Sequence, residues 1–157
     1  MMKQLVKIGF LAAVIVVSGY FTTMDAQNVS GWIGNGTVTR GTAARATVVL
    51  SVPGGLHVNS NHPNGEYAIA TTVRATSNGA KIGRVTYPRG RNRKFEFSEK
   101  PLNVYEGRVA MTFNVTPPAT FRGRTITVNV TVHYQACTNE VCYPPKSKQI
   151  TLTAKVN

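Results

Sequence analysis

The sequence predicts an all-β fold, an antiparallel β-sandwich, on three observations. Apolar and polar residues alternate along several short runs, clusters of Gly, Pro and Asn separate those runs, and no stretch beyond the N-terminal segment reads as a helix. The 157 residues include 14 Gly and 8 Pro scattered along the chain, and only 15% are charged, which argues against a coiled coil and against a low-complexity tail. This length holds one domain and excludes a Rossmann or barrel enzyme with a second domain.

Residues 1–26 read as a secretory signal peptide and stand apart from the fold. Lys3 and Lys7 give a basic start with no acid, Ile8 to Val17 is an apolar run broken only by Gly9, and Met24-Asp25-Ala26 offers a cleavage boundary. That run is shorter than the roughly 20 residues that cross a bilayer, although Leu5 to Met24 comes near, so an N-terminal membrane anchor is the lesser reading. A periplasmic or secreted, monomeric domain is expected. The whole chain carries 18 Lys and Arg against 6 Asp and Glu, a formal charge of +12. Loss of the signal removes Lys3, Lys7 and the only Asp, leaving 16 basic and 5 acidic side chains in residues 27–157.

Residues 27–36 read as an N-terminal extension and 37–157 as the domain. Its strands, in order, are Ala44 to Val52, Glu66 to Ala75 and Ile82 to Tyr87, all weakly alternating, then three stronger ones. Arg108 to Val115 places Val109, Met111, Phe113 and Val115 on one face, Thr125 to Tyr134 is apolar at every even position, and Ile150, Leu152, Ala154 and Val156 close the chain. Turn signals lie between them, among them Pro53-Gly54-Gly55, His62-Pro63-Asn64-Gly65, Ser77-Asn78-Gly79 and Pro88-Arg89-Gly90. Trp32 precedes the first of these strands, so the Cys-Trp-Cys pattern of antibody domains is not present.

Chemistry concentrates at Cys137 and Cys142, the only two cysteines, separated by four residues after the strongest strand and followed by Tyr143-Pro144-Pro145. A disulfide across that turn suits an exported protein. Two readings stay open on spacing. One is a structural staple, although closing so small a ring stabilises by only about 2 kcal/mol. The other is a pair that opens and closes against a partner without disturbing the sandwich. A zinc site would need His57, His62 and His133, which do not stand at ligand spacing from the cysteines and read as surface residues. No metal or cofactor is therefore expected, and no nucleophile elbow or phosphate loop is present. Arg89-Gly90-Arg91-Asn92-Arg93-Lys94 reads as a solvated turn whose charge can draw an acidic protein or membrane surface; an exported chain meets little nucleic acid.

At the cysteine loop the sequence becomes specific. Tyr134-Gln135-Ala136-Cys137 through Cys142-Tyr143-Pro144-Pro145 resembles the N-terminal periplasmic domain of the thiol:disulfide interchange protein DsbD, supported by Gly55 to Asn61, Val85-Thr86-Tyr87-Pro88 and Val104-Tyr105-Glu106-Gly107 in the same order. The resemblance spans about Thr37 to Val156. It implies an immunoglobulin-like β-sandwich with disulfide-interchange activity of the protein-disulfide reductase type. Cys137 and Cys142 are then the catalytic pair, Cys142 bonding to the partner and Cys137 resolving that bond. Tyr134, Gln135, Tyr143 and Pro144 flank the pair. A cap from about Arg93 to Tyr105, with Phe95 and Phe97 as shields and Tyr105 at its end, covers it. The implied partners are thioredoxin-fold periplasmic proteins, with a membrane electron donor acting in trans because the membrane and thioredoxin-like domains of such proteins are not in this chain. The competing expectation is a non-catalytic immunoglobulin-like binding module with a fixed disulfide and a basic partner-binding surface.

Overall fold

The computed structural model describes residues 27–157; the expected signal peptide lies outside the described residues. Twelve strands follow one another: β1 (Asn28–Ile33), β2 (Thr37–Val38), β3 (Ala44–Val52), β4 (His57–Asn59), β5 (Thr72–Thr76), β6 (Lys81–Ile82), β7 (Arg91–Arg93), β8 (Leu102–Tyr105), β9 (Gly107–Thr116), β10 (Thr125–Tyr134), β11 (Ala136–Cys137) and β12 (Lys146–Val156). One sheet has the order β1-β3-β9-β6 and a second β2-β12-β10-β5, antiparallel throughout except that β2 runs parallel to β12. The alternation explains the layers. Val109, Met111, Phe113 and Val115 of β9 and Ile126, Val128, Val130 and Val132 of β10 turn into one core, joined by Val48 and Leu50 of β3 and Leu152 and Ala154 of β12.

Three expectations differ from the structure. The stretch expected as an extension contains β1, which pairs with β3 from Asn28↔Ser51 to Ile33↔Ala46 and buries Val29 and Ile33. Glu66 to Ala75 is strand only from Thr72, and Ile82 to Tyr87 reduces to β6 plus a single bridge between Thr86 and Thr112. Ahead of β5 the chain turns, with Ala68 N–H donating to the Gly65 carbonyl, and beyond β6 only Gly83 and Thr86 bond to β9, so alternation in those two segments does not extend into a ladder.

A third small sheet, β11-β4-β8-β7, covers one end of the sandwich. Strands of both layers feed it. β10 continues into β11 after Gln135, β8 continues into β9 after Glu106, and β3 leads into β4 through the Pro53–Leu56 turn, closed by Leu56 N–H donating to the Pro53 carbonyl at 3.2 Å. Gly107, at φ 65°, takes the left-handed backbone that redirects the chain from the small sheet into the sandwich.

Candidate functional site

Cys137 and Cys142 form a disulfide with an S–S distance of 2.04 Å and Cα atoms 4.0 Å apart. The turn between them is closed by backbone bonds: Thr138 N–H to the Val141 carbonyl and Tyr143 N–H to the Ala136 carbonyl, both 2.8 Å. The Thr138 hydroxyl accepts from the N–H groups of Glu140 and Val141, at 3.2 and 3.1 Å, and Gln135 Nε2 donates to the Tyr143 carbonyl at 3.1 Å. The two cysteines differ in setting. Cys137 belongs to β11 and is fully buried, whereas Cys142 lies outside the named strands and is exposed. Val141 and Tyr143 on either side of it are also exposed, at 55% and 46%. Tyr134 is buried in the main core, and Pro144 is exposed beside an apolar cleft of about 750 Å³ that Tyr143, Leu56 and Gln27 also line.

Across the small sheet, Cys137 stands directly opposite His57 in the antiparallel pairing of β11 with β4, which puts the two side chains on the same face. His57 is 2% exposed, which corrects the expectation of a surface residue. The Phe95 ring stacked on it covers it, and a three-residue strand is too short to show alternation. His62 is exposed, beside Asn61, and His133 lies on the polar face of β10 with Nδ1 3.0 Å from the Ser147 hydroxyl.

Phe95 and Phe97, two aromatic residues of the expected cap, stack against His57. The Phe95 ring stacks on His57 with centroids 3.9 Å apart and planes 13° apart, and Phe97 lies 5.5 Å beyond Phe95, also stacked. Phe95 is 5% exposed and forms a separate apolar cluster with Leu102 and Val104, while Phe97 is 40% exposed. The loop is held from within by Lys94, whose ammonium donates to the carbonyls of Ser98 and Glu99 at 2.5 and 2.6 Å. Tyr105, at the end of the cap stretch, is a β8 residue: its ring joins the main core and its hydroxyl reaches Asn61 and, at 3.0 Å, the Pro88 carbonyl. Burial raises the pKa of that hydroxyl.

The basic run is solvated as expected, but its middle is a strand and not a turn. Arg91 to Arg93 form β7, the exposed edge strand of the small sheet, paired with Leu102 to Val104 of β8. Charge on an edge strand discourages further strand pairing. Arg93 meets Glu106 at 3.6 Å. Burial lowers the pKa of His57, with Glu106 opposing that shift and Arg93 adding to it. His57, Lys94 and Glu106 are the site residues that sequence reasoning missed. The one available signal was the apolar flanking of His57.

Fold and pair together define an immunoglobulin-like domain carrying a disulfide in an exposed turn, with Phe95 and Phe97 stacked on His57 across the same small sheet. The family model for the thiol:disulfide interchange protein DsbD, N-terminal, matches residues 36–154, and the chain belongs to that family. The protein DsbD of Actinobacillus pleuropneumoniae serotype 5b (strain L20) is 26% identical over 97 residues, 62% of this chain and 15% of that protein. The DsbD of Pseudoalteromonas atlantica is 27% identical over 89 residues, 56% of this chain and 14% of that protein. This chain thus spans about one seventh of the length of those relatives. The N-terminal periplasmic domain of ScsB from Proteus mirabilis shares the fold, with a TM-score of 0.56 at 14% identity over 82% of this chain and 46% of that one. β1 lies ahead of the residues that the family model matches.

Proposed function

We propose that this domain exchanges disulfides with thioredoxin-fold proteins in the periplasm, passing them reducing equivalents through Cys137 and Cys142. The observation that carries this reading is the unequal exposure of the pair. A partner sulfur can approach Cys142, which is exposed, whereas Cys137 is fixed in a strand behind it. Opening the bond frees one short turn and leaves both sandwich layers paired. In the direction that reduces the partner, the Cys142 thiolate attacks the partner's disulfide and forms a mixed disulfide. Cys137 then attacks Cys142, the Cys137–Cys142 bond forms, and the partner leaves reduced. Phe95 and Phe97, stacked on His57 opposite Cys137, shield the buried member of the pair from small oxidants. Exposed Val141, Tyr143 and Phe97 supply an apolar rim for that partner. A membrane electron donor recharges the pair.

Trapping tests this directly. Cys137→Ser, incubated with a thioredoxin-fold protein oxidised at its active-site pair, should accumulate a mixed disulfide visible on a non-reducing gel, and Cys142→Ser should accumulate none. Equal trapping by both variants would reverse or dissolve the assigned roles. No trapping by either would favour a binding module braced by a fixed disulfide.

A further inference from the structure

His57 has a position that neither core packing nor the shield explains. It is directly opposite Cys137 in the ladder, both residues are buried, and Nε2 of its ring has no hydrogen-bond partner. A buried ring nitrogen left unpaired costs about 1–3 kcal/mol. Such a cost is tolerated where a partner group becomes available in another state of the site. The disulfide has no proton to offer; the reduced pair does. In the reduced protein Cys137 carries an S–H on the same face of the sheet, its Cβ about 5 Å from that of His57 by the geometry of directly opposed residues.

We infer that His57 is the proton acceptor for the buried thiol of Cys137 in the ring-closing half of the exchange, an inference that rests on the exchange reading above. Burial in apolar surroundings keeps a thiol protonated, and only the thiolate attacks. With Phe95 stacked on the ring, water has little access to serve as the base. In the step itself the Cys137 S–H proton passes to His57 and the Cys137 sulfur bonds to Cys142. The Cys142–partner bond breaks, and the departing partner thiolate takes up one proton, which returns His57 to its neutral form. The domain loses two electrons and the partner gains them. The surroundings suit a neutral base at neutral pH, because burial depresses the imidazole pKa. The charges that act on the ring oppose each other: Glu106, between β8 and β9, and Arg93, at the end of β7. From the cap Phe95 and Phe97 face the ring, and from β11 Cys137; the Tyr105 hydroxyl of β8 is engaged with Asn61.

The test reads ring closure in the full chain with Ellman's reagent as the probe. The reduced protein reacts at Cys142 with release of one thionitrobenzoate, and closure by Cys137 releases the second. His57→Phe keeps an aromatic ring for Phe95 to stack on and removes the acceptor nitrogen. It should slow the second release about 100-fold at pH 7, with the deficit shrinking as pH rises and the thiol ionises unaided. His57→Gln, which fills the site without a base, should show the same pH-dependent deficit. An unchanged closure rate and pH profile in a folded variant would overturn the inference, as would an equal slowing at every pH, which is the mark of lost packing. If neither variant folds, the wild-type profile decides: a closure rate that stays level from about pH 8 to 7 and falls only on acidification below about pH 6.5 supports the base, and a rate that falls steadily from the thiol range near pH 8.5 downward overturns it. Failure of the exchange reading is distinguishable, because the wild-type protein would then still close its ring and release the second thionitrobenzoate while Cys137→Ser trapped no thioredoxin-fold partner.

Discussion

At Phe95 the cap rests on two kinds of contact, a stacked ring at 3.9 Å on His57 and apolar packing with Leu102 and Val104. That cluster is separate from the main core, so under the proposed shielding role Phe95 would lift without unfolding the sandwich. Phe95→Ala should therefore raise the alkylation rate of the reduced cysteines about tenfold, equivalent to losing roughly 1.4 kcal/mol of cap closure, while the cooperative melt of the sandwich persists. An unchanged alkylation rate would mean that Phe95 packs on the sheet without guarding the pair. His57 adds a pH dependence of stability whose sign follows from burial. Its folded pKa lies below the ordinary 6.5, so in acid the unfolded chain binds a proton that the folded chain resists. Stability is then fully present above about pH 6.5 and declines as pH falls through that value. Urea midpoints measured from pH 7 down to pH 5 should fall, and His57→Phe should flatten part of that decline.

Among the elements, β1 depends on one glycine. A Cβ at Gly31 would lie 2.6 Å from the Thr47 carbonyl and 3.1 Å from the Leu152 side chain, so β1 crosses close over both its own sheet and β12 only because that position is bare. Gly31→Ala should cost about 1–3 kcal/mol by urea unfolding, with no effect on the redox chemistry at the far end of the chain order. The same glycine hid β1 from sequence reading: it removes the middle apolar residue of the alternation and leaves only Val29 and Ile33, while Trp32 faces outward at 46% exposure. β9, β10 and β12 were legible because each runs ten residues or more with one face in the core, so the period-2 signal accumulates. The small sheet was not legible. β4, β7 and β11 have two or three residues each, shorter than any alternation can show, and β4 is buried along its whole length. The cysteine loop could be found because its residue types are rare in the chain. His57 could not, since its role depends on a cross-strand register that links residues 57 and 137.

Over the whole molecule, part of the surplus of basic side chains lies in the small sheet that contains Cys137, β7 forming one edge of it and β11 the other. Such a field steers acidic partners, and it is screened by salt. The second-order rate of exchange with an acidic thioredoxin-fold protein should fall about tenfold from low to high salt, and Arg89→Glu with Arg91→Glu should remove most of that dependence without altering the reactivity of the pair toward a neutral thiol. A salt-independent rate would assign the charge to another task. Whether the pair carries electrons at all is a question for its reduction potential, measured by equilibration of the full domain with glutathione or dithiothreitol buffers. Thiol–disulfide exchange calls for a value between about −120 and −270 mV, the range of proteins that exchange disulfides, and a value below about −300 mV would make Cys137–Cys142 a structural brace.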